Sequence, residues 1–499
     1  MRTTGCNFMI LTASSFKAAK SGFTITSLSL SLLLFGSDLC GAPDTKLNQD
    51  SRRPNILFIM IDDLGWMDLN CQGNRKFTTP NIDRLFAQGM RFTNAYAAAP
   101  VCSPTRAAAI TGLAPARLKV TNHNPDRWEF YHGKKMGPAK SLRFLESKYD
   151  TIAEYLKKAG YETAFMGKWH LSEEHGDKHG EHQPENQGFD LNIGGCHLGG
   201  PRTFFAPYAI VNMVPATAGD YLPYTLADQA VKFLTQQQDR TDPFLLCLWH
   251  YTVHYPIQAP ADLLKKHQTG DQKPTDQQRY QAMVDGMDIA VGRVLTALSD
   301  LGLAKNTLAV FTSDNGNLDG YSSANPLKHA KGYLSEGGIR VPLAVRFPGV
   351  VKPGSTSDEP VISMDFVPTF LDAVGIKYDA ADFDGQSMMP VLKQSDTIKR
   401  ESIYFHYPHY AFHGNNRMGS AIRSGHYKLI TYYDGHDSVL YNLRDDIGET
   451  RNLATRLPEK VETMTRDLKQ WLKTMNATFP RPLSEVGDTE LTGRRPQHP

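Results

Sequence analysis

The sequence predicts an α/β sandwich with a mostly parallel central sheet, followed by a smaller C-terminal α+β subdomain with an antiparallel sheet. Three observations carry that prediction. Short apolar runs recur and stop abruptly at polar residues, helical periodicities lie between them, and near residue 395 the pattern changes to alternation.

NILFIMIDD (55–63) is continuously apolar until it ends in two acids, the pattern of a strand buried on both faces. TAFMGKWH (163–170), FLLCLWHYTVH (244–254) and TLAVFTSDNG (307–316) share the design and end in Lys, His, Asp or Asn. Between the last two, Met283, Met287, Val291, Val294 and Leu298 recur at helical spacing, and a glycine follows the final turn. Ligands of open parallel sheets sit beyond the carboxyl ends of the strands. The polar residues that close the four runs are therefore expected to converge, however far apart in sequence. Past residue 395, SAIRSGHYKLITYYDGHDSVLYNL alternates around the turn signal YDGHD, which predicts an antiparallel hairpin, and PEKVETMTRDLKQWLKTM reads as one amphipathic helix. The tail from about Pro480 is expected to run over the surface or stay disordered. The expected division is a leader over about 1–42, a catalytic domain over 52–395, a C-terminal subdomain over 396–480 and a tail over 481–499.

With 499 residues, 40% hydrophobic and 21% charged, the chain has the balance of a globular protein too long for one small core. A net charge of +2 gives no global attraction to nucleic acid or to a membrane surface, and neither is expected as a partner. Arg2, Lys17 and Lys20 precede SGFTITSLSLSLLLFG and SDLCGAP, which reads as an export leader; the apolar run is too short and too interrupted for a membrane span. The protein is thus expected in a periplasmic, secreted or lysosome-like compartment without stable membrane insertion, with retention as an N-terminal anchor the main rival. Removing the leader leaves Cys71, Cys102, Cys196 and Cys247, too few for a disulfide framework and without a zinc-type CxxC pair.

In VCSPTRAAAITG (101–112), Cys102-Ser103-Pro104-Thr105-Arg106 continued to Thr111-Gly112 resembles the CxPxRxxxxTG signature of the type I, formylglycine-dependent sulfatases of the alkaline phosphatase superfamily. Three residues separate Cys from Arg, not the five of a cysteine phosphatase. The other blocks of that family follow in order as PNILFIMIDDLGW, GKWHL, the VHYP stretch, SDNG, LKHAKGYLSEGGIRVP and LYNLRDDIGETRNLA, so the resemblance covers residues 53–475. Departures are small: His329-Ala330 stand where glycines are common, and Val253 precedes His254 where proline is usual.

The resemblance implies an alkaline-phosphatase-like fold and a sulfuric ester hydrolase of arylsulfatase type. It implies that a formylglycine-generating enzyme oxidises Cys102 before folding to Cα-formylglycine (3-oxoalanine), whose hydrate is a geminal diol. It also implies one Ca²⁺ held by Asp62, Asp63, Asp314, Asn315 and residue 102. Three carboxylates and an amide oxygen form a hard oxygen shell suited to Ca²⁺ or Mg²⁺. Arg106, with its fixed and permanently charged fork, is expected to hold the diol and the metal-site carboxylates. Lys168 and His170 flank Trp169 at a strand end and are expected on one face. In the implied mechanism Asp314 assists deprotonation of the attacking hydroxyl, and His254 with Lys331 protonates the leaving alcohol. His170 takes the second hydroxyl's proton, and Lys168 holds the diol or sulfate. Asp68 is read as a surface or loop residue.

Lys168, His254, Lys331 and His409 are the expected substrate contacts. The stretches NHNPDRWEFYHG (122–133), GGCHLGGPRTFFAPY (194–208) and FHYPHYAFHGNN (405–416) are rich in aromatic rings, histidine and Asn/Asp, which suits sugar stacking and hydroxyl recognition. A sulfated carbohydrate of galactose or N-acetylgalactosamine type, in a polysaccharide or glycosaminoglycan, is the expected substrate. Two other readings compete: a phosphonate monoester hydrolase or phosphodiesterase of the same superfamily, and a non-catalytic glycan-binding protein that never acquires the aldehyde.

Overall fold

The computed structural model describes residues 53–123, 125–173, 180–412 and 415–492. The expected leader lies outside them.

Eight strands form the central sheet: β1 (Asn55–Ile61), β2 (Met90–Phe92), β3 (Glu162–Gly167), β4 (Leu191–Ile193), β5 (Phe244–Trp249), β6 (Thr307–Ser313), β7 (Leu343–Arg346) and β8 (Ser355–Ser357). Their spatial order is β8-β2-β7-β6-β1-β5-β3-β4, and all pairings are parallel except the two that β7 makes. β1 lies between β5 and β6, with Phe58 opposite Cys247 on one side and Val310 on the other. Its alternate side chains supply two cores: Leu57, Ile59 and Ile61 face one layer of helices, and Ile56, Phe58 and Met60 face the other. All six are fully buried, each worth roughly 1.5–3 kcal/mol.

Four helices flank this sheet and a fifth packs on the smaller sheet described below. They are α1 (Cys102–Thr111), α2 (Leu222–Gln237), α3 (Asp276–Asp300), α4 (Phe366–Ala373) and α5 (Pro458–Thr474). In α3 the five periodic residues Met283, Met287, Val291, Val294 and Leu298 are all fully buried, and Thr275 and Gln278 form a reciprocal cap at its start. α1 is buried along its whole length and ends at Gly112, which is left-handed at φ 74°.

A second, antiparallel sheet runs β9 (Ser402–Tyr407), β10 (Gly419–Ser424), β11 (Tyr427–Tyr432) and β12 (Val439–Asn442) in chain order. The hairpin expected around YDGHD is β11–β12, and α5 covers the sheet with Met464, Leu468 and Leu472. Two expectations need correction. Over residues 481–492 the tail does not run free: Arg481–Pro482 pairs with Met136–Gly137, and Leu483, Val486 and Leu491 are buried with Trp128 and Tyr131. Their apolar partners come from a distant part of the chain, so local composition does not reveal them. Nor does strand alternation position Lys168 and His170. β3 ends at Gly167, and His170 itself is left-handed at φ 60°.

Candidate active site

The carboxyl ends of β1, β3, β5 and β6 converge as the sequence predicts. The Asp63 N–H donates to Asp314 Oδ1 at 3.1 Å, and Asn315 Nδ2 donates to Asp63 Oδ1 at 2.8 Å, joining the ends of β1 and β6. Lys168, just past β3, donates from Nζ to Asp62 Oδ2 at 2.6 Å. Lys331 arrives from a separate loop and places Nζ 2.5 Å from Asp63 Oδ1. Gly167 makes the β3 approach possible. It sits at φ 106°, and a Cβ there would lie 2.0 Å from the Trp249 carbonyl oxygen, which accepts the Lys168 N–H at 2.7 Å.

Helix α1 delivers Cys102 at its first turn and Arg106 one turn later. Arg106 donates from Nε to Asp314 Oδ2 at 2.9 Å and from Nη1 to the Lys168 carbonyl at 2.5 Å, with Nη2 2.8 Å from Asp314 Oδ2. The guanidinium therefore clamps the ends of β3 and β6 together. Cys102 is 2% exposed, and burial raises its thiol pKa despite Lys168 and Lys331 nearby. A buried, protonated thiol is a weak nucleophile.

Three carboxylates (Asp62, Asp63 and Asp314) face three cations (Arg106, Lys168 and Lys331), and all six side chains are buried. Burial raises the Asp62 pKa above the usual carboxylate range, against the pull of Lys168. At Asp63 burial pushes the same way, but Lys331, His254 and Lys168 together hold its pKa below the usual value. Asp62 Oδ1, Asp63 Oδ2 and Asn315 Oδ1 are buried with no hydrogen-bond partner among the described residues. Leaving such atoms unsatisfied is costly. Ligand atoms of Asp62, Cys102 and Asp314 also lie within 4.8 Å of one another. Orphaned hard oxygens in a tight group are what a divalent cation needs, so the residues present fit Ca²⁺.

His254 reaches the cluster's margin, and His170 lies under the same glycine-bearing loop. The Nδ1–H of His254 donates to the Tyr255 carbonyl at 2.8 Å, which turns Nε2 toward Asp63 Oδ2 at 3.8 Å. Burial, reinforced by Lys331 and Lys168 against Asp63, holds its pKa down to about 3. His170 is buried, its N–H bonded to the Cys196 carbonyl at 2.9 Å. A Cβ on Gly199 would lie 2.7 Å from His170 Cε1, and one on Gly200 would lie 3.0 Å from His254 Nδ1. This glycine pair lets one loop pass over both rings, a role that only the folded neighbours reveal.

A further wall surrounds the cluster. His123, which sequence reasoning placed only within a lining stretch, has its pKa lowered to about 4 by burial, with Lys331 and Lys168 adding to the effect against Asp126. His409 is fully buried, its Nε2 2.8 Å from Thr121 Oγ1 and its Nδ1 3.6 Å from Asp126 Oδ2. Tyr407 donates to Asn122 Oδ1 at 3.0 Å. Asp68, expected at the surface, is instead completely buried and accepts from Gly65 N, Tyr280 Oη and Ser322 Oγ. Burial, only partly offset by those donors, pushes its carboxyl up to about 6. Tyr280 and Ser322 lie far along the chain, so the sequence around Asp68 gives no sign of them.

Comparison with known proteins gives a consistent result. Residues 54–376 match the family model described as Sulfatase, and residues 328–478 match the one described as N-sulphoglucosamine sulphohydrolase, C-terminal. A protein named Sulfatase from Formosa agariphila is 30% identical, over 89% of this chain and 94% of its own. N-acetylgalactosamine-6-sulfatase of Rattus norvegicus is 31% identical, over 75% of this chain and 71% of its own. The crystal structure of Ps i-CgsB in complex with k-i-k-neocarrahexaose superposes with a TM-score of 0.72 at 28% identity, covering 84% of this chain and 93% of that one.

Proposed function

This chain belongs to the sulfatase family and is a sulfuric ester hydrolase, and on that premise we propose that it removes sulfate from a sulfated carbohydrate of galactose or N-acetylgalactosamine type. It does so with a formylglycine made from Cys102 by a formylglycine-generating enzyme and with one Ca²⁺ held by Asp62, Asp63, Asp314, Asn315 and residue 102. The observation that carries the reading is the placement of Cys102 against Asp62 and Asp314 within 4.8 Å, beside three unsatisfied buried oxygens. The rat relative's name and the glycan bound to Ps i-CgsB support the sugar class.

When bound, the cation neutralises sulfate oxygens and the hydrated aldehyde offers a hydroxyl nucleophile. The chain's own residues do the rest. Arg106 fixes Asp314, which accepts the attacking hydroxyl's proton. Lys168 and Lys331 neutralise the peripheral oxygens of the ester, as preorganised donors do in a dry site. His254 is held neutral by burial and by its two lysine neighbours. The negative charge of a bound sulfate ester raises its pKa, so that Nε2 can carry a proton to the leaving alcohol. His170 would take the second hydroxyl's proton, with inorganic sulfate departing as the carbonyl re-forms. Among the described residues no helix is long and apolar enough to cross a membrane, and the reading includes export of the mature chain.

Mass analysis of the peptide spanning residues 101–112, on the same preparation used for aryl sulfate turnover, tests this reading. The aldehyde mass is expected at residue 102, with turnover abolished in a folded Cys102→Ala variant. Full sulfate release by protein that carries only the thiol would overturn it.

A further inference from the structure

Asp68 is buried where the loop after β1 meets helix α3 and the segment after β6, and the proposed reaction gives it no part. One of its oxygens, Oδ2, accepts three hydrogen bonds: from the Gly65 N–H at 2.9 Å, the Tyr280 hydroxyl at 2.7 Å and the Ser322 hydroxyl at 3.1 Å. All three donors are neutral, and no cation among the described residues pairs with the carboxylate. Burying a carboxylate without a cation costs free energy. Stability is therefore a poor reason for this residue, and the segments that its donors belong to supply a better one.

Gly65 lies two residues beyond Asp63. A Cβ on it would stand 2.5 Å from Asn317 Cβ and 2.8 Å from Asp68 Oδ2, so the loop has no slack at this point. Asn317 in turn lies two residues beyond Asn315, and its Nδ2 donates to the Ser322 carbonyl at 3.1 Å. Its own carbonyl accepts the Lys331 N–H at 3.0 Å. Nearer the acids, the Leu64 N–H donates to Ser313 Oγ at 3.0 Å. Tyr280 belongs to α3, a helix of 25 residues packed along a buried stripe. Asp68 Oδ2 thus ties the segment that carries Asp62 and Asp63 to the one that carries Asp314 and Asn315, and fixes both to a long helix.

We propose that Asp68 is a positioning residue for the cation site: by gathering Gly65, Ser322 and Tyr280 on one oxygen it sets the separation between Asp62–Asp63 and Asp314–Asn315. It acts through those residues and not as a ligand. The inference rests on the reading that these four residues hold Ca²⁺. Residues that orient metal ligands are typically worth about 10–100-fold in metal affinity.

The test uses the full chain freed of divalent cations, with Ca²⁺ affinity measured by titration calorimetry and the melting temperature measured without Ca²⁺. Asp68→Ala is expected to raise the Ca²⁺ Kd about tenfold or more, the equivalent of ~1.4 kcal/mol. Asp68→Asn keeps an oxygen for the three donors and should stay within about threefold of wild type. Its calcium-free melting temperature should be no lower than the wild type's, because the buried charge is gone. Tyr280→Phe and Ser322→Ala each remove one donor and should raise Kd by about two- to fivefold. Asp68→Ala/Tyr280→Phe should bind no more weakly than Asp68→Ala alone, since the two groups act as one unit. Turnover of 4-nitrophenyl sulfate by Asp68→Ala should be low at limiting Ca²⁺ and largely recovered in excess.

A lowered melting temperature in Asp68→Ala with a wild-type Kd would mark a residue that only stabilises the fold, and overturns the proposal. An Asp68→Asn variant as weak as the alanine overturns the acceptor role. Should Asp68→Ala fail to fold, Tyr280→Phe and Ser322→Ala decide, and a wild-type Kd in both overturns it. Wild type that binds no Ca²⁺ sinks the calcium reading itself and takes this inference with it.

Discussion

The carboxylate of Glu449 accepts the main-chain N–H of Glu336 at 2.7 Å, across 113 residues of sequence. Around this bond Glu336 takes Lys428 Nζ and Arg340 Nη1, each at 2.9 Å, and the Tyr96 hydroxyl at 2.7 Å, while Lys428 Nζ also lies 3.0 Å from Glu449 Oε1. Lys428 belongs to β11, Glu449 follows β12, and Glu336 closes the loop that carries Lys331. The antiparallel sheet therefore fastens a loop whose working end lies in the catalytic cluster.

Glu449→Ala is expected to destabilise the protein by roughly 3 kcal/mol, because it leaves buried Lys428 short of a carboxylate and strands the Glu336 N–H. Glu449→Gln keeps an acceptor for that N–H and should lose less. Urea unfolding midpoints of the two variants check this; equal midpoints would count against the anchor.

Lys331→Ala removes the ammonium 2.5 Å from Asp63 and leaves that buried carboxylate under-compensated. A loss of about 10² or more in kcat/KM on an aryl sulfate is expected. Lys331→Arg should not restore it, since a forked guanidinium does not fit where a point charge sits in close contact. Steady-state kinetics on folded protein decide the matter.

Removing divalent cations with a chelator is expected to lower the melting temperature and abolish turnover, and adding Ca²⁺ should restore both. At free Ca²⁺ a hundredfold above Kd the stabilisation is about 2.7 kcal/mol. Asp314→Asn should lose the Ca²⁺-dependent shift in melting temperature. A shift of wild-type size in that variant would remove Asp314 from the metal site.

His406 joins β9 to the segment after α5: its Nε2–H donates to the Thr478 carbonyl at 2.8 Å, and its Nδ1 lies 2.7 Å from Ser420 Oγ. Burial, outweighing the opposing pull of the Thr478 bond, lowers the ring's pKa from the ordinary 6.5 to about 3. The unfolded chain therefore takes up this proton as the pH falls through 6.5, whereas the folded chain resists until about pH 3. Stability from this group is complete above pH 6.5 and declines below it, by at most ~1.4 kcal/mol per pH unit. In His406→Gln the slope of stability against pH should be shallower over that interval. Superimposable slopes from denaturant titrations would refute the assignment.

Much of the site was legible because parallel strands buried on both faces leave continuous apolar runs, and the residues that end those runs are the ones the sheet gathers. Asp62, Asp63, Asp314 and Asn315 meet for that reason, and the α3 stripe is as plain in the sequence as in the fold. What escaped the reading has no local period. Gly199 and Gly200 matter through rings at positions 170 and 254, Asp68 is buried by donors more than 200 residues away, and residues 483–491 find apolar partners near residue 128. The strand ends at Gly167 and His170 is left-handed, so the pleat expected to carry Lys168 and His170 is absent there.

The strand order also carries a timetable. β1 has no neighbour in the sheet until residues 244–249 and 307–313 exist, so the central layer cannot close until the chain is synthesised to Ser313. At ~5–20 residues per second, roughly 10–40 s separate the appearance of Cys102 from that point. Once the sheet has closed the thiol is sealed, with 2% of its residue exposed. Any enzyme that must reach this side chain is thus confined to the chain before that sheet closes, and the long-range pairing of β1 sets how late that is.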